Sequence, residues 1–137
     1  MRTRSAAAFA GVVAAALFAA AGAAAQPAQD CSKGTTTREL DECYAAEYRS
    51  ADTALNKVYG QLVAKLSDPG EKTLLQAAEQ AWIAYRDKEC AFETAGTRTG
   101  TIHPIEVSIC LTGKTRSHSA ELQKQLDCPE GDTTCLH

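Results

Sequence analysis

The stretch TTRELDECYAAEYRSADTALNKVYGQLVAKLSDPG, residues 36–70, decides the fold of this chain. Its apolar residues recur every three or four positions, which is the period of one face of an α-helix. Thr36 and Glu39 have the spacing of a capping box, so the helix is predicted to begin there and to run for about eight turns. The apolar face consists of Leu40, Tyr44, Tyr48, Ala51, Leu55, Val58, Leu62 and Leu66.

A second helix is predicted to follow after a very short turn. Asp68 can cap this helix, Pro69 suits its first position, and Glu71 is placed as the N3 partner. Because so short a turn joins two long helices, they are expected to lie antiparallel as a hairpin. The second helix is predicted to end near Ala95. Its inner face is expected to hold Leu74, Ala78, Trp82 and Tyr85, with Leu75 and Phe92 on the flanks.

A glycine-rich connection precedes a third, weaker helix. Residues 96–101 (GTRTGT) offer little to bury, which is typical of a loop. His103 and Pro104 then begin a helix toward Leu126, although Gly113 inside it costs about 1 kcal/mol of helix propensity. No segment of useful length has the alternating pattern of a strand. The chain is therefore predicted to be all-α.

The cysteines predict disulfide staples for this fold. An even number of cysteines in a small exported domain indicates a disulfide framework. Local closures are favoured: Cys31 with Cys43, Cys90 with Cys110 across the glycine loop, and Cys128 with Cys135 in the tail. A bridge from Cys43 to Cys90 is the alternative, because a hairpin folded at Pro69 brings those regions close. The predicted fold is a small disulfide-stapled three-helix domain built on a long antiparallel helical hairpin.

Residues 1–25 have the pattern of a secretory signal peptide. Two arginines stand in the first four positions, an uncharged alanine-rich run follows from Ala6, and the run closes on small residues before Gln26. A membrane anchor is the alternative, but alanine is weakly hydrophobic and the A-x-A end favours cleavage after Ala25. Residues 26–137 are then a single domain with a Cys-closed tail. The residues before Cys31 do not fit a lipoprotein cleavage site, so no lipid anchor is expected.

The net charge of the chain indicates which classes of partner it can bind. The formal net charge is −3, and it becomes −5 when the signal peptide and its two arginines are removed. Nucleic acids and anionic membranes favour Lys/Arg patches, so neither is expected to bind the mature chain. An acidic surface is compatible with a basic protein partner. The signal and the disulfides predict a periplasmic or secreted location.

No motif in the chain predicts catalysis, a metal site or a cofactor. Cys128, Cys135 and His137 could offer soft ligands, but their spacing matches no zinc pattern and export favours disulfides. The chain has no C-x-x-C motif, which argues against thioredoxin-like redox chemistry. His118 lies between serines that point away from it on a helix, and His103 is a loop residue beside a proline. Both histidines are expected to be solvated, and the chain is not predicted to be an enzyme.

The stretch AWIAYRDKEC, residues 81–90, is the most distinctive part of the sequence. Trp82, Arg86 and Cys90 stand four positions apart and so share one helix face. The indole can pack inside the hairpin with the Arg86 stem against it, while the guanidinium bonds a carboxylate or helix-end carbonyls. A structural role is favoured for Trp82, Tyr85, Arg86 and Asp87. A binding role for Arg86 is the alternative.

Taken in order, these features resemble the LprI-type lysozyme inhibitor family of exported bacterial proteins. The resemblance spans nearly the whole mature chain. Its residues are Cys31 and Cys43; Ala51, Asp52, Leu55, Asn56 and Tyr59; Leu75, the run from Trp82 to Asp87, and Cys90; then Cys110, Leu111, Thr112, Arg116 and Leu122. The chain departs from the family pattern in its extra pair, Cys128 and Cys135, and in lacking a lipid-anchor signal.

The resemblance implies a compact helical domain that binds and inhibits lysozyme, as characterised members do. Animal-type lysozymes are basic, so an acidic chain would be steered toward one, and their association would weaken in salt. The loop from Gly96 to Pro104, tethered by Cys90 and Cys110, is the expected contact edge. Its candidate partner-binding residues are Gly96, Arg98, Gly100 and His103.

Two other classes of function are the alternatives, and the first shares all of these sequence features. An envelope interaction or structural protein would differ only in its partner. An enzyme would need a convergent site that no motif indicates, and loss of a hydrolase activity in His103→Ala or His118→Ala would reveal it.

Overall fold

The computed structural model describes residues 30–129 and 131–132. Within these residues the chain is all-helical, with α1 at Thr37–Lys65, α2 at Pro69–Glu93 and α3 at His103–Leu126. Short 3-10 turns at Cys31–Lys33 and Ala95–Thr97 precede α1 and follow α2. The prediction of an all-α, three-helix fold is confirmed. The predicted signal peptide, residues 1–25, lies outside the described residues.

The helix starts follow the local sequence signals. The Thr36 hydroxyl accepts the Glu39 backbone N–H, and the Glu39 carboxylate accepts the Thr36 N–H, which completes the capping box of α1. Asp68 accepts the backbone N–H of Glu71, and Pro69 occupies the first turn of α2. These bonds satisfy donors that a helix start leaves without partners. The predicted boundaries of the first two helices are therefore correct.

The three helices run up, down and up. Lys65 Nζ at the end of α1 donates to the Leu126 carbonyl at the end of α3, at 2.7 Å. Arg116 pairs with Glu47 toward the other end, so α1 and α3 are parallel. Helix α2 runs antiparallel to both, as the short turn predicts. The backbones of α1 and α3 pack most closely, and α2 reaches α1 through long side chains.

The apolar core lies at the end of the bundle near the turn between α1 and α2. It consists of Leu55, Leu62, Leu66, Leu75 and Leu122, with Val58, Tyr59, Val63, Trp82 and Leu126 packed against it. Toward the opposite end, the buried set includes polar side chains and two disulfides. A core of this size is modest for the chain length, which explains the use of covalent staples.

The predicted inner face of α2 is correct at Trp82 but wrong by one residue at Leu74 and Tyr85. Leu74 is 72% exposed, Tyr85 is 54% exposed, and the predicted flank residue Phe92 is 77% exposed. The face that α2 turns inward instead holds Leu75, Glu79, Trp82, Arg86 and Cys90. Two of these residues are charged, and a pattern search assigns charged residues to the solvent face. The pattern therefore assigns exposed apolar residues to the core.

Two of the three predicted disulfides are confirmed. Cys31 bonds Cys43 and Cys90 bonds Cys110, with Cα atoms 5.7 Å apart in each pair. The alternative bridge from Cys43 to Cys90 is therefore wrong. The third predicted pair joins Cys128 to Cys135, and Cys135 lies outside the described residues. None of the helices between Thr37 and Leu126 combines the length and apolarity that a membrane span requires.

Candidate functional site

A buried arginine links the three helices. The Arg86 side chain on α2 is only 7% exposed. Its Nε and Nη2 both donate to Asp87 Oδ1, at 2.9 and 2.8 Å. Its Nη1 donates to Thr115 Oγ1 of α3 at 3.3 Å and lies 3.7 Å from Asp52 Oδ1 of α1. A buried charge needs such partners, because leaving water without them is costly.

Aromatic rings complete the surroundings of this guanidinium. Its central carbon lies 5.2 Å from the Trp82 ring centroid and 5.5 Å from that of Tyr48. Both distances are within the range of a cation–π contact. Arg86 therefore bonds to or stacks on side chains from every helix of the bundle. Tyr85, predicted to join this structural set, lies on the exposed face of α2, while Asp87 remains half exposed.

The ionisation of Tyr48 reports on this environment. Burial raises the pKa of its phenol, the Arg86 charge opposes the rise, and the nearby carboxylates of Asp52 and Asp87 add to it. We expect its pKa to lie above the ordinary value of about 10. At a pH between the pKa of Tyr48 in the unfolded chain and its higher pKa in the folded chain, the phenol is deprotonated in the unfolded chain and protonated in the folded one. The free energy of unfolding therefore falls as pH rises through this range.

An absorbance titration of phenolate formation, compared between the wild type and Tyr48→Phe, isolates this group. The difference curve should have its midpoint above pH 10. A midpoint at or below that value would contradict the burial of Tyr48 beside Arg86.

A cleft of about 440 Å³ opens beside the arginine. Arg86 and Asp87 of α2 and Tyr48 of α1 form one wall. Arg98 and His103 form the edge of the cleft. Ala91, Val107, Leu111 and the disulfide-bonded Cys90 supply the apolar part of the lining. The cleft therefore places cationic groups next to an apolar surface.

The predicted binding loop meets this cleft at two of its four candidate residues. Arg98 and His103 line the cleft, whereas Gly96 and Gly100 lie on the exposed turn and not in its lining. The Gly100 N–H donates to the Thr97 carbonyl at 2.7 Å, and a Cβ at Gly100 would meet that oxygen at 3.3 Å. The glycine therefore allows a tight turn, and the Cys90–Cys110 bridge tethers both ends of the loop.

Thr97 orients the histidine at the cleft. Its hydroxyl donates to Glu106 Oε2 at 2.7 Å and lies 3.3 Å from His103 Nδ1. With the hydroxyl hydrogen directed to Glu106, the Thr97 oxygen can accept a hydrogen bond from the Nδ1–H of His103. In that arrangement Nε2 is the ring nitrogen left for a ligand. The sequence suggested no partner for His103. Its partner is Thr97 of the loop, whose hydroxyl is bonded to Glu106, one turn further along α3.

A second buried polar group was missed by sequence reasoning. His118 Nε2 lies 2.7 Å from Glu79 Oε2, and its ring stacks on Trp82 with centroids 3.9 Å apart. The His118 side chain is 14% exposed, so the expectation that it is solvated is wrong. Neither Glu79 nor His118 carries a sequence signal for burial, because they meet only when α2 packs on α3. The contact of Glu79 and Trp82 with His118 therefore joins α2 to α3 in the two turns of α2 that precede Arg86.

The described residues contain no group of three or more His, Cys, Asp or Glu side chains arranged to hold a metal ion. What the cleft offers is recognition chemistry: two arginines, one oriented histidine, a tyrosine hydroxyl and an apolar surface. These groups suit binding of an anionic or hydrogen-bonding partner.

A model of a known protein family matches most of the chain. The model of the family described as lysozyme inhibitor LprI matches residues 28–122, which include α1, α2 and most of α3. The tail with Cys128 and Cys135 lies beyond the matched residues. No solved structure matches the chain.

Two curated relatives are similar in sequence. The chain is 36% identical to an uncharacterized protein of Rhizobium meliloti over 119 residues, which cover 78% of this chain and 86% of that protein. It is 32% identical to the uncharacterized protein YecT of Escherichia coli over 66 residues, 41% of each chain. Since the family model covers most of the helical bundle and the Rhizobium meliloti relative aligns over most of both chains, this chain belongs to the family described as lysozyme inhibitor LprI.

Proposed function

We propose that this protein binds and inhibits a basic lysozyme in the bacterial periplasm or outside the cell. Membership of the LprI family supports a protein partner and an inhibitory role. The two disulfides fit an oxidising compartment, and the predicted signal peptide would deliver the chain there. The observation that carries the proposal is the tethered loop, which presents Arg98 and His103 at the mouth of the cleft.

The charges of the two proteins suit such a complex at two scales. The net negative charge of the chain attracts a basic enzyme over a distance comparable with the Debye length. At contact, the cationic loop can meet the carboxylates on which glycoside hydrolysis depends. Arg98 can bind a carboxylate with two parallel hydrogen bonds, and His103 can add a third when protonated. Because the loop is tethered at both ends, little conformational entropy is lost when it docks.

Lysis of bacterial cell walls by a hen-type lysozyme provides the test. Residues 26–137, purified with oxidised disulfides, should inhibit in proportion to dose, and inhibition should weaken as salt is raised. Arg98→Ala combined with His103→Ala should weaken inhibition by about tenfold or more, as expected when central contacts are lost.

Lys57→Ala is the matched control, since it removes one exposed positive charge from α1 at the other end of the bundle. It should inhibit as the wild type does. Equal inhibition by the loop variant and the control would exclude the loop as the contact edge. No inhibition of any lysozyme type at micromolar protein would reject the proposed function.

A second candidate is an envelope protein that binds another partner, and one observation favours it. Leu74, Tyr85 and Phe92 expose an apolar stripe along α2, outside the lining of the cleft. Exposed apolar patches on small proteins often mark interaction surfaces. Capture of periplasmic proteins by the wild type and by a Leu74→Ser/Phe92→Ser variant separates the candidates. A partner other than lysozyme, lost only in this variant, would favour the second.

A further inference from the structure

Besides the contact that the proposed function assigns to Arg98, the cleft at the loop has a chemical bias of its own. Arg98 has no carboxylate partner within residues 30–129, whereas Arg38, Arg86 and Arg116 each pair with an acidic side chain. Asp87 is the acidic residue in the lining, and both Nε and Nη2 of Arg86 already bond its Oδ1. The Arg98 charge is therefore not compensated within the cleft, which makes the mouth of the cleft suited to an anion.

The remaining lining defines which anion fits. Ala91, Val107 and Leu111 form an apolar surface next to the cationic edge. A phosphate or sulfate has no group to bury there, whereas a carboxylate attached to a small alkyl group can fill both parts of the cleft. The volume of about 440 Å³ lies within the range of small-ligand sites and is far too small for a folded domain.

Further hydrogen-bonding groups lie around the cleft. Tyr48 lines the cleft, and its phenol is neutral at pH 7, so the hydroxyl can donate a hydrogen bond; burial raises its pKa further. His103 is held through Nδ1 by Thr97, which leaves Nε2 for a ligand atom. A peptide end carries both a carboxylate and amide groups, and so matches this mixture of charged and neutral partners.

We propose that the cleft is a binding site for the C-terminal carboxylate of a peptide ending in small apolar residues, with Arg98 as its ion-pair partner and the Val107–Leu111 side as its apolar wall. The same carboxylate chemistry could come from an acidic side chain of a protein partner. The apolar wall favours the peptide end, because its alkyl side chain is adjacent to the carboxylate. This site goes beyond lysozyme inhibition, and it can exist whether or not that proposal is correct.

Three probes distinguish the sources of the carboxylate. Acetyl-alanyl-alanine carries the proposed peptide end, its C-terminal amide lacks the charge, and acetyl-glutamate amide offers a side-chain carboxylate without an adjacent methyl group. Titration of each into residues 26–137 is followed by ¹H–¹⁵N NMR and calorimetry, with no lysozyme present. The free-acid peptide should bind at least about tenfold more tightly than the other two. Shifts should concentrate at Arg98, His103 and Val107.

Variants assign the binding to the cleft. Arg98→Ala should weaken binding of the free-acid peptide about tenfold, because a charge-assisted hydrogen-bonded pair is lost at an exposed residue that the fold does not need. Lys57→Ala should bind as the wild type does. Equal binding of the acid and the amide, equal binding of the glutamate probe, or an unchanged affinity in Arg98→Ala would each overturn the proposal. The absence of any chemical-shift change at 10 mM peptide would also overturn the proposal, because such titrations detect dissociation constants up to about 10 mM.

The outcome is independent of the lysozyme assay. Peptide binding without lysozyme inhibition would retain the site and reject the proposed function. Inhibition without peptide binding would retain the function and reject the site. If both are present, the free-acid peptide should reduce lysozyme inhibition by the wild type, since both ligands need Arg98.

Discussion

Leu62→Ala is expected to lower the free energy of unfolding by about 2–5 kcal/mol, whereas Leu74→Ala should change it by less than about 0.5 kcal/mol. Leu62 is 1% exposed in the centre of the core, and its removal leaves a cavity between helices. Leu74 is 72% exposed on α2, and alanine is a better helix former than leucine. The two substitutions are chemically identical, so their difference measures burial alone.

Urea unfolding with intact disulfides, followed by circular dichroism, gives both values. The comparison also tests which face of α2 points inward. The sequence pattern places Leu74 on the inner face and therefore predicts a large loss for Leu74→Ala. A loss above 2 kcal/mol at Leu74 would restore that assignment and contradict the structure.

Arg86→Ala is expected to lower the free energy of unfolding by about 3 kcal/mol. The substitution removes the bonds to Asp87 and Thr115, the two aromatic contacts and the packing of the arginine stem. The loss should lie at the low end of the range for buried ion pairs. Asp52 and Asp87 are 43% and 56% exposed, so they remain hydrated when the cation is removed.

Arg86→Met separates packing from charge. Methionine fills much of the same space and keeps contact with Trp82, but it has no hydrogen-bond donors. We expect it to recover about half of the loss in Arg86→Ala, measured by the same urea unfolding. A stability of Arg86→Ala within about 1 kcal/mol of the wild type would show that Arg86 is dispensable for folding, and would favour a binding role for it.

The position of Arg86 also affects how the loop with Arg98 is held against the bundle. Arg86 forms one wall of the cleft, and Cys90, one turn further along α2, anchors the loop that carries Arg98. Asp87 Oδ1 accepts two hydrogen bonds from Arg86, so this oxygen is not available to Arg98. Residues that support the bundle are therefore adjacent to the proposed recognition residues, and the Arg98 substitutions are expected to affect recognition without disturbing the bundle.

Local pattern was sufficient to predict the three helices, the capping box at Thr36, the start of α2 at Pro69 and the disulfides from Cys31 and Cys90. Each of these depends on residues close together in the chain: a helical period, a cap three residues away, or a bridge over 12 or 20 residues. The loop was also found in this way, because glycine and threonine rarely continue a helix.

The inner face of α2 was decided only by tertiary packing. Glu79 is buried because His118 of α3 meets it, and Arg86 is buried because Asp52, Thr115 and two aromatic rings surround it. A single sequence places charged residues in water and leucines in the core, so it selects Leu74 over Leu75. The free energy of a buried charge depends on partners from other helices, and no local pattern contains that information.

The cleft has the same origin. Arg98 and His103 were recognised as loop residues, but their proximity to Tyr48 and Arg86 follows from the packing of α2 and α3 against α1 and from the Cys90–Cys110 bridge. Helix starts and short bridges are short-range properties that a sequence can specify residue by residue. A binding cleft between helices is a property of their relative positions, which are determined only when the buried side chains of all three helices find their partners.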